Sequence, residues 1–166
     1  MFITNHVLSG AVIGLAAPRR PALVALTAAG SHFALDSVPH WGTKDKRKFR
    51  RVAIVDGLCG LATMAAIMRI APKGTRVAVL AGMVGAAFPD SDKPAEMFFH
   101  RSPFPLRLDQ FHSAIQRESA RGVRTEVRAA ALMAALVVLL SSARRLSAGA
   151  RFRRTSRGGV RRRRWL

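Results

Sequence analysis

The sequence predicts an all-α, multi-pass membrane helical bundle of four or five apolar helices, followed by a disordered basic tail. Of the 166 residues, 49% are hydrophobic, although the formal net charge is +19. The charge is concentrated in residues 143–166, which contain ten arginines and no acidic residue. Glycine, proline or charge clusters divide the apolar residues into five runs: 2–17, 21–41, 52–71, 75–89 and 129–143.

The lengths of these runs decide which of them can cross a bilayer. A spanning helix needs about 20 apolar residues, with about 17 as a working minimum. The runs at 21–41 and 52–71 are long enough, whereas the other three require a tilt, a thinner bilayer or an interfacial position. We expect 2–17 to be a retained helix, because Met1 to His6 lack the basic residues that begin a signal peptide.

Composition excludes several other classes of protein. A wholly disordered basic chain is excluded by the long apolar runs, and a disulfide scaffold by the single cysteine, Cys59. A small soluble bundle of Ala-rich helices is the alternative, but 52–68 and 129–140 lack its polar face. The chain is therefore divided into a membrane-embedded domain, 1–142, with an interfacial segment at 90–128, and a tail, 143–166.

Ionisable residues inside or beside the apolar runs are the candidate functional residues, because a polar group in a membrane helix is costly. In chain order they are His6, His32, Asp36, His40, Asp56, Asp90, Asp92, His100, Asp109 and His112. If the runs alternate in direction, those of the first four helices lie at one membrane face, and segment 90–128 continues from it. In the turns at the opposite face, around 18–21 and 71–76, the only ionisable residues are basic.

The residue types and their spacing suit a metal site. His32 and Asp36 are four residues apart, on one helix face. Imidazole and carboxylate together suit Zn²⁺, and also Mn²⁺ or Fe²⁺. We predict a divalent metal, Zn²⁺ before others and more than one ion if space allows, with Asp36 and Asp56 as catalytic carboxylates. The predicted ligands are His6, His32, Asp36, His40, Asp90, His100 and His112.

Each of these residues also has a simpler explanation. His32 and Asp36 can form a plain intrahelical hydrogen bond. Asp90, after Pro89, is a typical turn residue, and Asp109 with His112 can be a surface pair. Their joint placement at one face is what favours metal binding.

Three short motifs resemble the YdjM-like family of predicted bacterial inner-membrane metal-dependent hydrolases. They are Thr4-Asn5-His6-Val7-Leu8-Ser9-Gly10, the block from His32 to Trp41, and Gly85-Ala86-Ala87-Phe88-Pro89-Asp90-Ser91-Asp92. The resemblance covers about residues 4–113, and it implies a distant similarity to the zinc-dependent phospholipase C and single-strand nuclease superfamily. It matches His6, His32, Asp36, His40 and Asp90 best as ligands. Lys93 stands where family members often have a histidine.

The tail and the interfacial segment suggest partners. The tail arginines favour anionic lipid headgroups, and nonspecific nucleic-acid binding is the alternative. Phe98, Phe99 and Phe104 suit an interfacial lid, or a solvated amphipathic stretch. Basic residues divide almost evenly between the two predicted faces, so the positive-inside rule does not choose an orientation. It favours a cytoplasmic site only if 129–143 does not span.

We therefore expect an enzyme of the inner membrane that hydrolyses a phosphoester or ester of a lipid or lipid-linked substrate with a metal-activated water. The alternative is a non-catalytic membrane protein with a structural His/Asp network and a binding tail. Ion or proton transport is less favoured, because the polar residues gather at one face and do not line a path.

Overall fold

The computed structural model describes residues 1–18 and 20–162, with side chains described as far as Gly149. Its helices are α1 (Ile3–Ala16), α2 (Pro21–Asp36), α3 (Lys46–Ile70), α4 (Arg76–Ala87), α5 (Asp92–Phe99), α6 (Leu106–Ile115) and α7 (Val123–Arg162). Strands β1 (His40–Trp41) and β2 (Glu118–Ser119) form a short parallel pair. The prediction of an all-α fold is confirmed for these residues.

Each of the five apolar runs contains helix, although the run 21–41 continues beyond α2 into β1, and two helices begin earlier than hydropathy predicts. Helix α3 starts at Lys46, six residues before the apolar run, because the Asp45 carboxylate accepts from the backbone N–H of Arg47 (2.9 Å) and Lys48 (3.1 Å). That carboxylate caps the first turn and allows charged residues to be helical. Helix α7 likewise starts at Val123, within the predicted interfacial segment, which also contains α5 and α6.

The prediction that disorder begins at residue 143 is wrong for residues 143–149, which continue α7. Side chains of two tail arginines explain this. The Arg144 guanidinium donates to the carbonyl oxygens of Leu15 (3.0 Å) and Ala16 (2.8 Å), and Arg145 donates to that of Ile70. These contacts satisfy carbonyls that a helix end leaves unpaired. The tail side chains from residue 150 onward lie outside the described residues.

Among the described residues, two helices are long and apolar enough to cross a membrane: α3, and α7 over Val123–Gly149. Only 11% and 22% of their most apolar windows are buried within the protein. Helices α1, α2 and α4 have 14, 16 and 12 residues. The structure thus supports two candidate spans, which does not establish the predicted four or five.

Helix α1 packs against α2, α3, α4 and α7. Its closest approach is to α4, where a Cβ added to Gly10 would overlap the backbone of Gly82, and one added to Gly82 would overlap Gly10. Small residues of this kind allow helix backbones to touch. Apolar side chains then fill the space between α1, α3, α4 and α7, including Leu15, Ile67, Met83 and Val137.

The N-terminal end of α1 is fixed by carboxylates from two other helices. Asp56 of α3 accepts from the N–H groups of Ile3 (2.5 Å) and Thr4 (3.3 Å), and from the Thr4 hydroxyl (2.6 Å). Glu126 of α7 accepts from the N–H of Phe2. The unpaired N–H groups of a helix start favour such anions, and these bonds set the position of His6 one turn further on.

Candidate metal centre

Four buried side chains from three parts of the chain converge at one end of the bundle: His32, Asp36, Asp90 and His112. His32 and Asp36 lie on the last turns of α2, Asp90 lies in the 3-10 turn Phe88–Ser91, and His112 lies on α6. One ligand atom from each lies within 4.8 Å of all the others. This buried group can hold a metal ion.

Distances between the donor atoms match those around one ion. Asp36 Oδ2 lies 3.0 Å from His112 Nε2 and 3.3 Å from His32 Nε2. Asp90 Oδ1 lies 3.7 Å from each of the same two nitrogens. Ligands about 2.1 Å from a common ion are about 3.0 Å apart in octahedral and about 3.4 Å apart in tetrahedral geometry. The spacing therefore fits a small divalent metal without selecting one.

The His32 ring is oriented by a backbone carbonyl. His32 Nδ1 lies 2.8 Å from the carbonyl oxygen of Ala86, which can only accept, so Nδ1 carries the proton and donates. A neutral His32 then has its lone pair on Nε2, which faces the two carboxylates and lies 3.0 Å from His112 Nε2. Lone pairs that face carboxylate oxygens require a cation or a proton between them.

Helix packing puts these groups in place. Helix α2 lies against α4, and the close approach of Gly85 to the backbone of Ala25 leaves no room for a side chain there. This contact brings the end of α2 beside Ala86 and the turn that contains Asp90. His32 and Asp36 face the same way because they are one helical turn apart.

His6 lies beside the group on the other oxygen of Asp36. Its Nε2 is 3.1 Å from Asp36 Oδ1 and 4.0 Å from Asp90 Oδ2, and its ring stacks on that of His32 with centroids 3.9 Å apart. The amino group of Met1 also lies 2.5 Å from Asp36 Oδ1. His6 is therefore placed either to ligate a further ion or to orient Asp36.

Lys93 forms an ion pair with Asp90, its Nζ lying 2.7 Å from Oδ1. Burial by itself would raise the pKa of Asp90, but the charge of Lys93 and the nearby His6 and His32 hold it below its usual range. Burial would lower the pKa of Lys93, and the charge of Asp90 raises it above the ordinary value. Lys93 thus supplies a fixed cation at the position where the resembled family often has histidine.

Two polar residues form an outer layer around His112 and Asp36. Asp92 Oδ2 lies 3.7 Å from His112 Nδ1, and burial raises the pKa of Asp92. The Gln116 amide donates to Asp36 Oδ2 at 3.2 Å. Outer-layer groups of this kind orient metal ligands and tune their basicity.

Besides His6, which lies next to the group, three of the predicted site residues lie outside it. Asp56 uses both carboxylate oxygens to cap α1, so its role as ligand or general base stays a prediction. His40 is buried in β1 with Nδ1 2.8 Å from the Val38 carbonyl oxygen, and its Nε2 has no partner among the described residues. His100 ends α5 with a φ of 57° and is exposed.

The buried Glu126 and the outer-layer Gln116 are not among the site residues predicted from the sequence. Besides Phe2, Glu126 accepts from the Asn5 side-chain amide (2.7 Å) and from the N–H of Trp41 (3.2 Å). One signal was available, because Glu126 is the last acidic residue before the final apolar run. Gln116, one turn after His112, had only that spacing to mark it.

Comparisons of the chain with protein-family models, with curated proteins and with solved structures found no match. The class of site is therefore defined by its own geometry: a buried His/Asp group suited to a divalent metal, at one end of a helical bundle. The resemblance to the YdjM-like family stays a prediction based on three short motifs.

Proposed function

We propose that this chain is a membrane-bound metal-dependent hydrolase that cleaves a phosphoester or ester of a lipid or lipid-linked substrate. The observation that supports it most is the convergence of two imidazole nitrogens and two carboxylates at metal-ligand spacing. Zn²⁺ is the preferred ion, since it takes N and O ligands and can expand from four to five ligands to admit a water or substrate oxygen. When bound, such an ion activates water at neutral pH and polarises the scissile group.

The chain's own residues would prepare the site for this chemistry. The Ala86 carbonyl keeps the Nε2 lone pair of His32 directed inward, and Gln116 holds Asp36 in place. The half-buried Asp92, beside His112, has a raised pKa and is therefore suited to receive or return a proton. Lys93 offers positive charge next to Asp90, where an anionic substrate group would lie.

We further propose that the bundle is a multi-pass protein of the inner membrane, with α1, α2 and α4 embedded beside α3 and α7. Exposed apolar side chains support this, since Val55, Leu58 and Leu61 of α3 are 60%, 63% and 65% exposed. Large apolar side chains that are exposed together on one helix favour contact with lipid or protein. The arginine-rich tail would bind anionic headgroups at the surface, with nonspecific nucleic-acid binding as its alternative.

The resemblance to the YdjM-like family supports the same proposal. Its three motifs contain His6, His32, Asp36 and Asp90, and these residues lie side by side in the structure. A common ligand set explains why separate short motifs would share such residue types. His112, outside the three motifs, would complete the set.

Metal content and hydrolysis test the proposal together. We expect protein purified without chelators to contain at least one Zn²⁺ or similar ion per chain and to hydrolyse a chromogenic phosphodiester or ester. His112→Ala should lose both properties, whereas His100→Ala, which alters an exposed histidine outside the group, should keep both. The proposal would be contradicted if the purified protein contained no metal and did not hydrolyse the substrate after Zn²⁺ was added. Recovery of the protein in the soluble fraction of the cells would contradict the proposed membrane location.

The second candidate is a non-catalytic membrane protein with a structural polar network. Asp36 favours it, because this carboxylate already has the side chains of His6, His112 and Gln116 within hydrogen-bond distance. In that case His112→Ala should lower the Tm while cells that produce the variant keep the protein's function, and deletion of residues 144–166 should remove that function.

A further inference from the structure

A cavity of about 500 Å³ opens beside the metal group. It lies between the start of α1, the N-terminal half of α3 and α5. Most of its wall is apolar, including side chains of Trp41, Ile54, Leu58, Leu61, Met97 and Phe98. Volumes of roughly 300–1,000 Å³ with apolar walls and a few polar groups are typical of sites for small organic ligands.

The cavity has one polar border that connects it with the metal group. Asp90 and Lys93 both line it, and Asp90 is also a member of the group. Lys93 is the only cationic side chain among the described residues that line it. The carboxylate of Asp56 lines it as well but is taken up by the N–H groups of Ile3 and Thr4. Glu118, beside Gly42, is the remaining charged residue of the lining. A ligand would therefore meet the Lys93 cation at the border with the metal group and mostly hydrocarbon elsewhere.

The opposite wall leads to the side of α3 that faces away from the protein. Ile54, Leu58 and Leu61 line the cavity while remaining 43%, 63% and 65% exposed. They belong to one of the two helices long and apolar enough to cross a membrane. A ligand with a hydrocarbon chain can thus enter along α3 directly from a bilayer, without passing through water.

We propose that this cavity binds the hydrocarbon chain of a lipid phosphate, with the phosphate group placed at Lys93 and the metal group. The apolar wall and the Lys93 ammonium group at its border favour an amphiphile with one anionic end. The assignment of this ligand as substrate rests on the proposed function, whereas its binding does not. The phosphate would lie where Asp90 and Lys93 border the cavity, within reach of the group that would cleave its ester.

Fluorescence of Trp41 can report occupancy, because this side chain lines the cavity and is 9% exposed. The chain has two tryptophans, so Trp165→Phe leaves Trp41 as the single emitter. The probe is a monoalkyl phosphate with bromine atoms in its chain, added to protein in detergent with chelator present. We expect saturable quenching at probe fractions too low for general contact with the micelle.

Glycine substitutions provide a matched pair of variants. A Cβ added at Gly57, which lines the cavity, meets no atom within 4 Å, and the same is true at Gly30 on α2, outside the cavity. Gly57→Leu should fill the cavity and weaken quenching at least tenfold, whereas Gly30→Leu should leave it unchanged. Both replacements favour the helix, so neither should prevent folding. Equal quenching curves for the two variants would overturn the proposal.

Lys93 is tested with a second probe, the brominated alcohol of the same chain length. Lys93→Gln should weaken binding of the alkyl phosphate severalfold and leave binding of the alcohol unchanged. An equal effect on both probes would overturn the placement of the phosphate. Quenching is measured with chelator and hydrolysis is measured separately on metal-loaded protein, so the two results are independent. Quenching as expected without hydrolysis contradicts only the proposed function. Hydrolysis with quenching that does not depend on Gly57 contradicts only the role of the cavity.

Discussion

The two ends of the bundle satisfy their helix termini with opposite charges. At the end with the metal group, Asp56 and Glu126 accept from the N–H groups that begin α1. At the other end, the guanidinium groups of Arg144 and Arg145 donate to the carbonyl groups that end α1 and α3. Both arrangements follow the helix dipole, which favours anions at N-termini and cations at C-termini.

The difference lies in what remains after the helix ends are satisfied. Arginine is a donor without a lone pair, so the arginine end contributes backbone caps. The other end has further carboxylates and imidazoles whose lone pairs face one another, as at Asp36 and His32. Charged residues at the end of a helical bundle therefore indicate a ligand-binding site only where the side-chain acceptors outnumber the backbone N–H groups that can donate to them.

The largest expected effect is on metal affinity at the end that contains the group. Asp36→Asn replaces one charged oxygen by an amide in the centre of the group, so we expect Zn²⁺ affinity to fall by about 100-fold or more. Competition with a chromophoric chelator measures this. Asp109→Asn is the matched control, because Asp109 accepts from the Ser102 hydroxyl outside the group. Equal Zn²⁺ affinities of the two variants would show that Asp36 is not a metal ligand.

Gly82→Leu tests the contact that holds both ends in register. Its side chain would overlap the backbone of Gly10, and overpacking of this kind costs about 1–3 kcal/mol or more. We expect a lower Tm in detergent, together with weaker metal binding, because α4 leads into the turn with Asp90. Gly30→Leu, in open space, should have neither effect. An unchanged Tm for Gly82→Leu would show that α1 and α4 are not in backbone contact.

Glu126→Gln separates a capping carboxylate from a ligand carboxylate. Both Glu126 oxygens accept from N–H donors, so the new amide group would face a donor. A buried unsatisfied group costs about 1–3 kcal/mol, which urea or thermal unfolding can measure. Metal affinity should change by less than it does in Asp36→Asn. A larger loss of metal than in Asp36→Asn would assign Glu126 to the metal centre.

The smallest effect is expected at the arginine end. Arg144→Ala removes two bonds to partly exposed carbonyl groups, and we expect a loss of no more than about 1 kcal/mol. Metal content should be unchanged. A parallel unfolding measurement with Arg124→Ala, which alters an exposed arginine near the other end of α7, provides the baseline. Loss of metal from the Arg144 variant would mean that the two ends are coupled.

Helix identity and the central pair of site residues were predictable from local patterns. Five apolar runs indicated five of the helices, and the four-residue spacing of His32 and Asp36 put both on one face. The first residues of α3 and α7 were not predictable from hydropathy, because Asp45 caps a charged first turn of α3 and the first turn of α7 contains polar residues. Hydropathy indicates which side chains avoid water, whereas the helical backbone extends beyond them.

Contacts between residues that are far apart in the sequence could not be predicted from the single sequence. His100 and His112 had equal standing in the sequence, yet only His112 points into the group, because α5 ends at His100 in a left-handed conformation. The same holds for Glu126, which meets residues 85 to 124 positions away. Such contacts depend on how α6 and α7 return to α1 and α2.

Helix α6 is held against the rest of the bundle by very little buried surface. His112 is its only buried residue, so docking of this helix and binding of an ion through His112 are thermodynamically linked. Any ion that prefers the complete ligand set stabilises the docked helix in proportion to its concentration and affinity. The rate of amide hydrogen exchange across Leu106–Ile115 would then report the free metal concentration. It would fall as the ion is added and rise as the ion is removed.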